Sequence, residues 1–177
     1  SKNNFDKWVL KQNIRPPYWA GFKFFNIYGP NEFHKGRMAS VILHAFNQIK
    51  SKGLVKLFCS HNPQYSNGGQ LRDFMYVKDV VEVLVFMMEK RESGLYNLGT
   101  GEARTFNSLA KSIFNVLEKE INISFVETPI TIRHRYQYYT QAKMFKLRSI
   151  GYKKEFFSLE DGIKDYVLNY LDKDRFF

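Results

Sequence analysis

The run Gly21-Phe22-Lys23-Phe24-Phe25-Asn26-Ile27-Tyr28 constrains this chain more than any other stretch. Its apolar residues are nearly continuous, the pattern of a strand buried on both faces, and Gly29-Pro30 stops it in a turn. Such a strand needs other strands beside it and helices over it. Candidate covers follow on either side. Phe5, Trp8 and Val9 share one face at helical spacing, so residues 5 to 12 read as a helix already under way at the first residue. Beyond the strand, Met38, Val41, Ile42, Ala45, Phe46 and Ile49 recur at three and four from Arg37 to Lys50. That spacing predicts an amphipathic helix, with His44 close to its apolar face.

Further along, residues 55–58 and 71–77 read as strands flanking a polar loop from Asn62 to Gln70. Val80, Val81, Leu84, Met87 and Met88 define a helix that opens near Lys78-Asp79. Residues 95–98 form a short strand closed by Gly99-Thr100-Gly101, and Thr105 caps a helix running through Leu109, Ile113 and Leu117. Residues 121–126 make a last strand. Ser158-Leu159-Glu160-Asp161 has the form of a capping box for a final helix lined by Leu159, Ile163, Tyr166, Val167 and Tyr170. The fold class expected is α/β, although strands and helices alternate too irregularly for a complete doubly wound sheet. The leading helix and strand belong to a sheet whose other strands are missing here, and the remainder makes a smaller mixed domain.

The net charge of +10 favours anionic partners, among them nucleic acid, acidic lipid and phosphorylated small molecules. A lone cysteine, Cys59, excludes an internal disulfide and a cysteine-based zinc site, and points to the cytoplasm. No window approaches the roughly 20 apolar residues of a membrane span, and the polar start is no signal peptide. The four histidines pair with no acid at ligand spacing, so no metal is expected. Gly99-Thr100-Gly101-Glu102-Ala103-Arg104 follows a strand and precedes a helix, yet Arg104 stands where a dinucleotide-binding turn needs glycine, so it reads as an ordinary turn. Arg72-Asp73 reads as a structural ion pair. Arg133-His134-Arg135-Tyr136-Gln137-Tyr138-Tyr139 interleaves cations and aromatics. It suits a solvated loop, a surface for stacked bases, or a nucleoside diphosphate site.

Residues 24–30 resemble the Asn-x-Tyr-Gly-Pro segment of extended short-chain dehydrogenase/reductases acting on nucleotide sugars. Residues 72–80, 96–101 and the C-terminal helix agree with that family in order and spacing. Within it, Glu32-Phe33-His34-Lys35-Gly36-Arg37-Met38-Ala39-Ser40-Val41 resembles the His-Lys-Gly-x-Met-Ala-Ser signature of the ADP-glyceromanno-heptose 6-epimerase family. Arg135-Tyr136-Gln137 and Thr140-Gln141-Ala142 resemble the same family, so the likeness covers nearly the whole chain.

This resemblance implies the tail of a Rossmann-type NADP-binding domain at 1–30 and a substrate-binding portion at 31–177. It implies interconversion of the two C6 epimers of ADP-heptose by NADP-mediated oxidation and reduction, for the inner core of lipopolysaccharide. Ser1-Lys2 resembles the end of the family's Tyr-x-x-x-Lys motif, which makes Lys2 a catalytic and cofactor-binding lysine. Its tyrosine and the glycine-rich turn then precede this sequence, and the piece alone is expected to be inactive. Lys35 becomes the second acid/base and a cofactor contact, and Ile27 touches the cofactor through its backbone. Asn26, Arg37, His44, Phe58, Cys59, Ser60, His61, Arg72 and Tyr136 fall at substrate positions. The loop from Asn62 to Gln70 is longer than the family pattern, and Cys59-Ser60-His61 replaces an acidic-Gly start. Expected partners are ADP-heptose and further copies of the chain, without nucleic acid or membrane. The alternatives are another nucleotide-sugar epimerase or dehydratase, or a basic nucleic-acid-binding module.

Overall fold

The computed structural model describes residues 2–173. Helix α1 (Lys2–Lys11) leads into strand β1 (Ala20–Phe24), which pairs in parallel with β5 (Gly94–Leu98). Strand β2 (Asn26–Tyr28) pairs in parallel with β4 (Leu71–Tyr76), whose other edge takes β6 (Ala103–Thr105) antiparallel. The single strand predicted over 21–28 is therefore two. Phe25 donates its N–H to the Leu98 carbonyl at 3.1 Å, and Ile27 donates back to the Phe25 carbonyl at 3.1 Å. That local loop turns the chain off β5 and onto β4. Strands β3 (Val55–Phe58) and β7 (Ile123–Val126) make a further parallel pair. The expected α/β class, with Rossmann-type parallel pairing, is what the chain adopts.

The helices depart from the sequence reading where capping overrides periodicity. Helix α2 spans Val41–Lys52 and does not begin at Arg37, because the Ser40 side chain accepts the Leu43 N–H at 3.2 Å and fixes the first turn. Residues Phe33–Met38 form 3-10 turns broken at Gly36 (φ 51°, ψ −121°), and Met38 is 85% exposed rather than on the apolar face. Helix α3 (Val77–Lys90) buries Val80, Val83 and Met87, while the predicted Val81 and Met88 face outward. Helix α4 (Phe106–Val116) starts at the Thr105 cap as read, with Thr105 accepting the Ser108 N–H at 3.0 Å. After short helices α5 (Ile130–Arg133) and α6 (Phe145–Ser149), helix α7 (Leu159–Tyr166) is capped by Ser158 and ends in a π turn over Val167–Leu171.

Successive side chains of a strand point to opposite faces, and β4 uses both. Phe74 and Tyr76 enter one core with Ile42, Ile49, Leu109, Ile113, Phe114, Ile163 and Tyr166, which joins α2, α4 and α7. Met75 enters the other core with Val83, Met87, Tyr96, Leu98 and Leu147. On α1 the Phe5 and Trp8 side chains stack on each other and remain largely exposed.

Arg72-Asp73 is not an ion pair. Asp73 is fully buried and turns toward the glycine turn, where its carboxylate accepts Thr100 N–H (2.7 Å), Thr100 Oγ1 (2.7 Å), Gly101 N–H (2.9 Å) and Ala142 N–H (2.9 Å). Gly99 is required here, since a Cβ would stand 2.7 Å from Asp73 Oδ2 and 2.7 Å from Ala142 Cβ. Desolvating a carboxylate is costly unless its lone pairs are filled, and four donors fill these. In Asp73→Asn one carboxylate oxygen becomes an NH₂ group facing two donors. Urea unfolding of that variant should show a loss of about 3 kcal/mol or more.

Asp79, buried in the first turn of α3, accepts the Phe157 N–H at 3.0 Å. Burial pushes its carboxyl up to about 6, with Glu82 adding to the rise and the Phe157 amide opposing it. The unfolded chain then loses this proton at lower pH than the native one, so the residue costs stability as pH rises from about 4 to about 6 and above. Asp79→Asn should shrink the drop in unfolding free energy between pH 4 and pH 7 by on the order of 2 kcal/mol.

Candidate functional site

Phe58, Arg72 and Tyr136, far apart in sequence, meet at one cavity of about 260 Å³, whose lining also includes Val41, Lys56, Gln70 and Phe106. Arg72 is nearly buried and gives one N–H to the Leu71 carbonyl at 2.8 Å and another to the Gln137 carbonyl. Its guanidinium lies over the rings of Tyr136 (5.5 Å) and Phe106 (5.7 Å). Burial lowers the Arg72 pKa while Tyr136 opposes the fall, and a guanidinium remains cationic at neutral pH. Burial raises the Tyr136 phenol, against the pull of Arg72. Phe58 meets Tyr136 edge to face at 6.2 Å and 82°. A fixed cation with further donors, set among aromatic walls, is chemically suited to an anion joined to a flat ring.

Lys35 is exposed on the turn before α2, and the base of that turn is held firmly. The buried Glu32 carboxylate accepts Ser40 N–H (2.7 Å), Ser40 Oγ (2.6 Å) and the Tyr166 hydroxyl (3.0 Å). Burial and the Glu32 charge hold the Tyr166 phenol protonated far above its ordinary range. Gly36, in the left-handed region, lets the chain leave Lys35 sharply.

The other sequence-predicted residues are spread around this centre. Asn26 is exposed and Ile27 half-buried on β2. Arg37 and His44 share a separate open groove of about 460 Å³ along α2, with Asn47, Gln48, Ser51 and Lys52. Lys2 lies at a groove of about 750 Å³ between α1 and β1, lined by Phe5, Val9, Trp19, Phe22 and Phe24. Cys59, Ser60 and His61 begin the loop after β3. Cys59 donates its N–H to Val126 O (2.8 Å), Ser60 donates to Asn67 Oδ1 (2.8 Å), and the His61 ring stands 3.3 Å from the Glu127 carboxylate. Among the described residues no His, Cys, Asp or Glu cluster could hold a metal, and no helix is long and apolar enough to cross a membrane.

Glu32, Lys56, Gln70 and Phe106 escaped the sequence reading. Lys56 had a signal, because Val55 and Leu57 point inward and the strand period puts Lys56 on the face of Phe58. Gln70 had none: it is buried, and its amide reaches the Phe58 and Cys59 carbonyls at 3.4 Å each. The Gly99-Thr100-Gly101 turn has its free amides committed to Asp73, consistent with an ordinary turn.

Parallel strands crossed over by helices, leading to an aromatic and cationic cavity, define a Rossmann-type α/β protein. The chain belongs to the NAD dependent epimerase/dehydratase family, whose model matches residues 12–99. It is 50% identical over 181 residues to an ADP-L-glycero-D-manno-heptose-6-epimerase of Fusobacterium nucleatum subsp. nucleatum, covering 98% of this chain and 54% of the relative. It is 45% identical over 172 residues to the enzyme of that name from Nitratidesulfovibrio vulgaris (strain DP4), covering 97% and 53%. The solved ADP-L-glycero-D-manno-heptose-6-epimerase of Helicobacter pylori superposes with a TM-score of 0.78 at 31% identity, over 95% of this chain and 49% of that one. The chain thus spans about half the length of the relatives it matches. The resemblance carried by the His-Lys-Gly segment holds across the chain.

The Glu32 anchor should be visible in stability. Glu32→Ala removes the acceptor of the Tyr166 hydroxyl and of the Ser40 N–H and hydroxyl, and urea unfolding should show a loss of about 3 kcal/mol, against about 1 kcal/mol for Tyr166→Phe.

Proposed function

We propose that this chain is the substrate-binding part of an ADP-L-glycero-D-manno-heptose-6-epimerase, which inverts C6 of ADP-heptose. The observation that carries the reading is the convergence of Phe58, Arg72 and Tyr136 on one cavity, where a nucleoside diphosphate finds aromatic walls and a preplaced cation. Lys56 lines the same cavity and adds a second positive charge for the diphosphate. Relatives at 45–50% identity carry the name of this activity, which supports the heptose as the sugar.

Epimerisation by oxidation and reduction asks for two acid/base groups on opposite sides of the reacting carbon. Lys35, exposed on its anchored turn, gives and takes the proton of the C6 oxygen in one orientation. Lys2 serves the other orientation indirectly, through its positive charge. Asn26, Arg37 and His44 orient the sugar, and the loop opening at Cys59-Ser60-His61 covers the nucleotide.

The family implies a nicotinamide cofactor, which when bound supplies reversible oxidation at C6. In this chain's own glycine turn the Thr100 and Gly101 amides are taken by Asp73 and do not serve its phosphates. Lys2 and the Ile27 backbone suit the nicotinamide end, near the carboxyl ends of parallel strands where α/β folds take ligands. We take the cofactor to be NADP, the setting to be cytoplasmic, and the working form to be a homo-oligomer, all on the family resemblance. Nucleic acid is a poorer fit. Tyr136 lies against Arg72 and Phe58, Tyr138 against Tyr65, and Arg133 is bound to Glu127 and the Thr128 carbonyl.

Kinetics of the intact protein on ADP-heptose test the reading. Lys35→Met should lower kcat by about 100-fold or more with little change in KM. Arg72→Ala should weaken ADP binding and raise KM by about tenfold or more. Turnover of UDP-galactose in preference to ADP-heptose would overturn the assignment.

A further inference from the structure

The loop from Cys59 to Gln70 is built as two arms held in different ways. The second arm is tied to α4: Asn107 donates its backbone N–H to the Gly68 carbonyl and its side-chain amide to the Asn67 carbonyl, both at 2.9 Å. Gly68 also donates to the Phe58 carbonyl at 3.3 Å. The first arm, residues 60–66, bonds to itself through Ser60 Oγ to Asn62 O (2.8 Å), Tyr65 N–H to Asn62 O (3.0 Å) and Gln64 N–H to Asn62 Oδ1 (3.0 Å), and meets the second arm through Ser60 N–H to Asn67 Oδ1 (2.8 Å) and Gly69 N–H to Ser66 O (2.9 Å). Beyond the loop, His61 and Tyr65 tie it to Tyr138, and His61 faces Glu127.

Tyr138 makes both of its ties at once. Its hydroxyl accepts the His61 N–H at 2.8 Å, and its ring packs on Tyr65 at 5.1 Å and 35°. The same ring meets Tyr136 edge-on at 5.4 Å and 75°, and Tyr136 in turn meets Phe58. Its backbone carbonyl accepts the Leu71 N–H at 2.8 Å, next to Arg72. Four rings, Tyr65, Tyr138, Tyr136 and Phe58, therefore form a continuous row from the loop to the cavity wall.

We propose that Tyr138 is a positioning residue: it couples the 60–66 arm to the Tyr136 wall and thereby sets how tightly the nucleoside diphosphate is held. This rests on the reading of the cavity as the nucleotide site. Tyr138 does not line the cavity itself, so it acts through Tyr136 and through the loop. Substrate affinity should respond to it, and the chemical step at the sugar should not.

ADP titration calorimetry and steady-state kinetics on the intact protein separate the outcomes. Tyr138→Phe keeps the ring row but loses the acceptor for His61, and should weaken ADP binding about threefold to tenfold. Tyr138→Leu breaks the row as well and should weaken it by about tenfold or more. In both, KM for ADP-heptose should rise in step while kcat stays within about twofold of wild type, the pattern of lost binding common to ground and transition states. Should Tyr138→Leu fail to fold, Tyr138→Phe and Tyr65→Leu make the same test from either side of the contact. Wild-type ADP affinity in the Tyr138 variants alongside a weakened Arg72→Ala would overturn the positioning role and leave the cavity reading intact. A fall in kcat at unchanged KM would overturn it too. ADP binding indifferent to Arg72→Ala would overturn the cavity reading and this inference with it.

Discussion

The Asp73 carboxylate is the fixed point from which the rest of this structure takes its bearings. A fully buried anion is tolerable only where donors surround it, and here they come from two other parts of the chain, the turn after β5 and the segment at Ala142. Strand β4 is thereby locked to the glycine turn and to the segment leading into α6. Because Asp73 faces that way, its neighbour Arg72 must face the other, toward Tyr136 and Phe106. The arrangement that satisfies the buried charge also aims the cation of the candidate site.

The same strand explains how one short segment serves two cores. Phe74 and Tyr76 bind α2, α4 and α7 into one hydrophobic mass, while Met75 joins the mass beneath α3 and α6. Around Tyr76 the first core is threaded with polar bonds. Tyr76 and Lys78 both donate to Asp165, at 2.7 and 2.6 Å. Burial pushes the Asp165 carboxyl up, but these bonds and that of Asn169 outweigh it and leave the group below its ordinary range. Phenols, rather than purely apolar rings, therefore carry much of this core, which accounts for the chain's tyrosine content in physical terms.

What could be read in advance was local. The Thr105 and Ser158 caps act as their sequences indicate, since a cap needs only a side-chain oxygen and a nearby amide. The residues of the cavity came from a resemblance, and their convergence depends on strand order that no single segment encodes. Periodicity failed where a neighbour exchanges roles. Phe25 bends the chain between two partners, Gly36 and Ser40 delay α2, and Arg72-Asp73 looked like a pair because adjacency in sequence hides opposite facing in a strand. Glu32 passed unnoticed because its importance comes from Tyr166, which a reading along the chain does not bring near it.

The bond between Glu32 and Tyr166 joins residues 134 positions apart. During synthesis the turn that presents Lys35 leaves the ribosome well before its anchor, with its own signature complete. Until α7 has emerged and settled, Glu32 is a carboxylate with one of its partners still unmade. The order of translation therefore withholds the finished turn until α7 has followed it, so that its assembly reports on the docking of that helix.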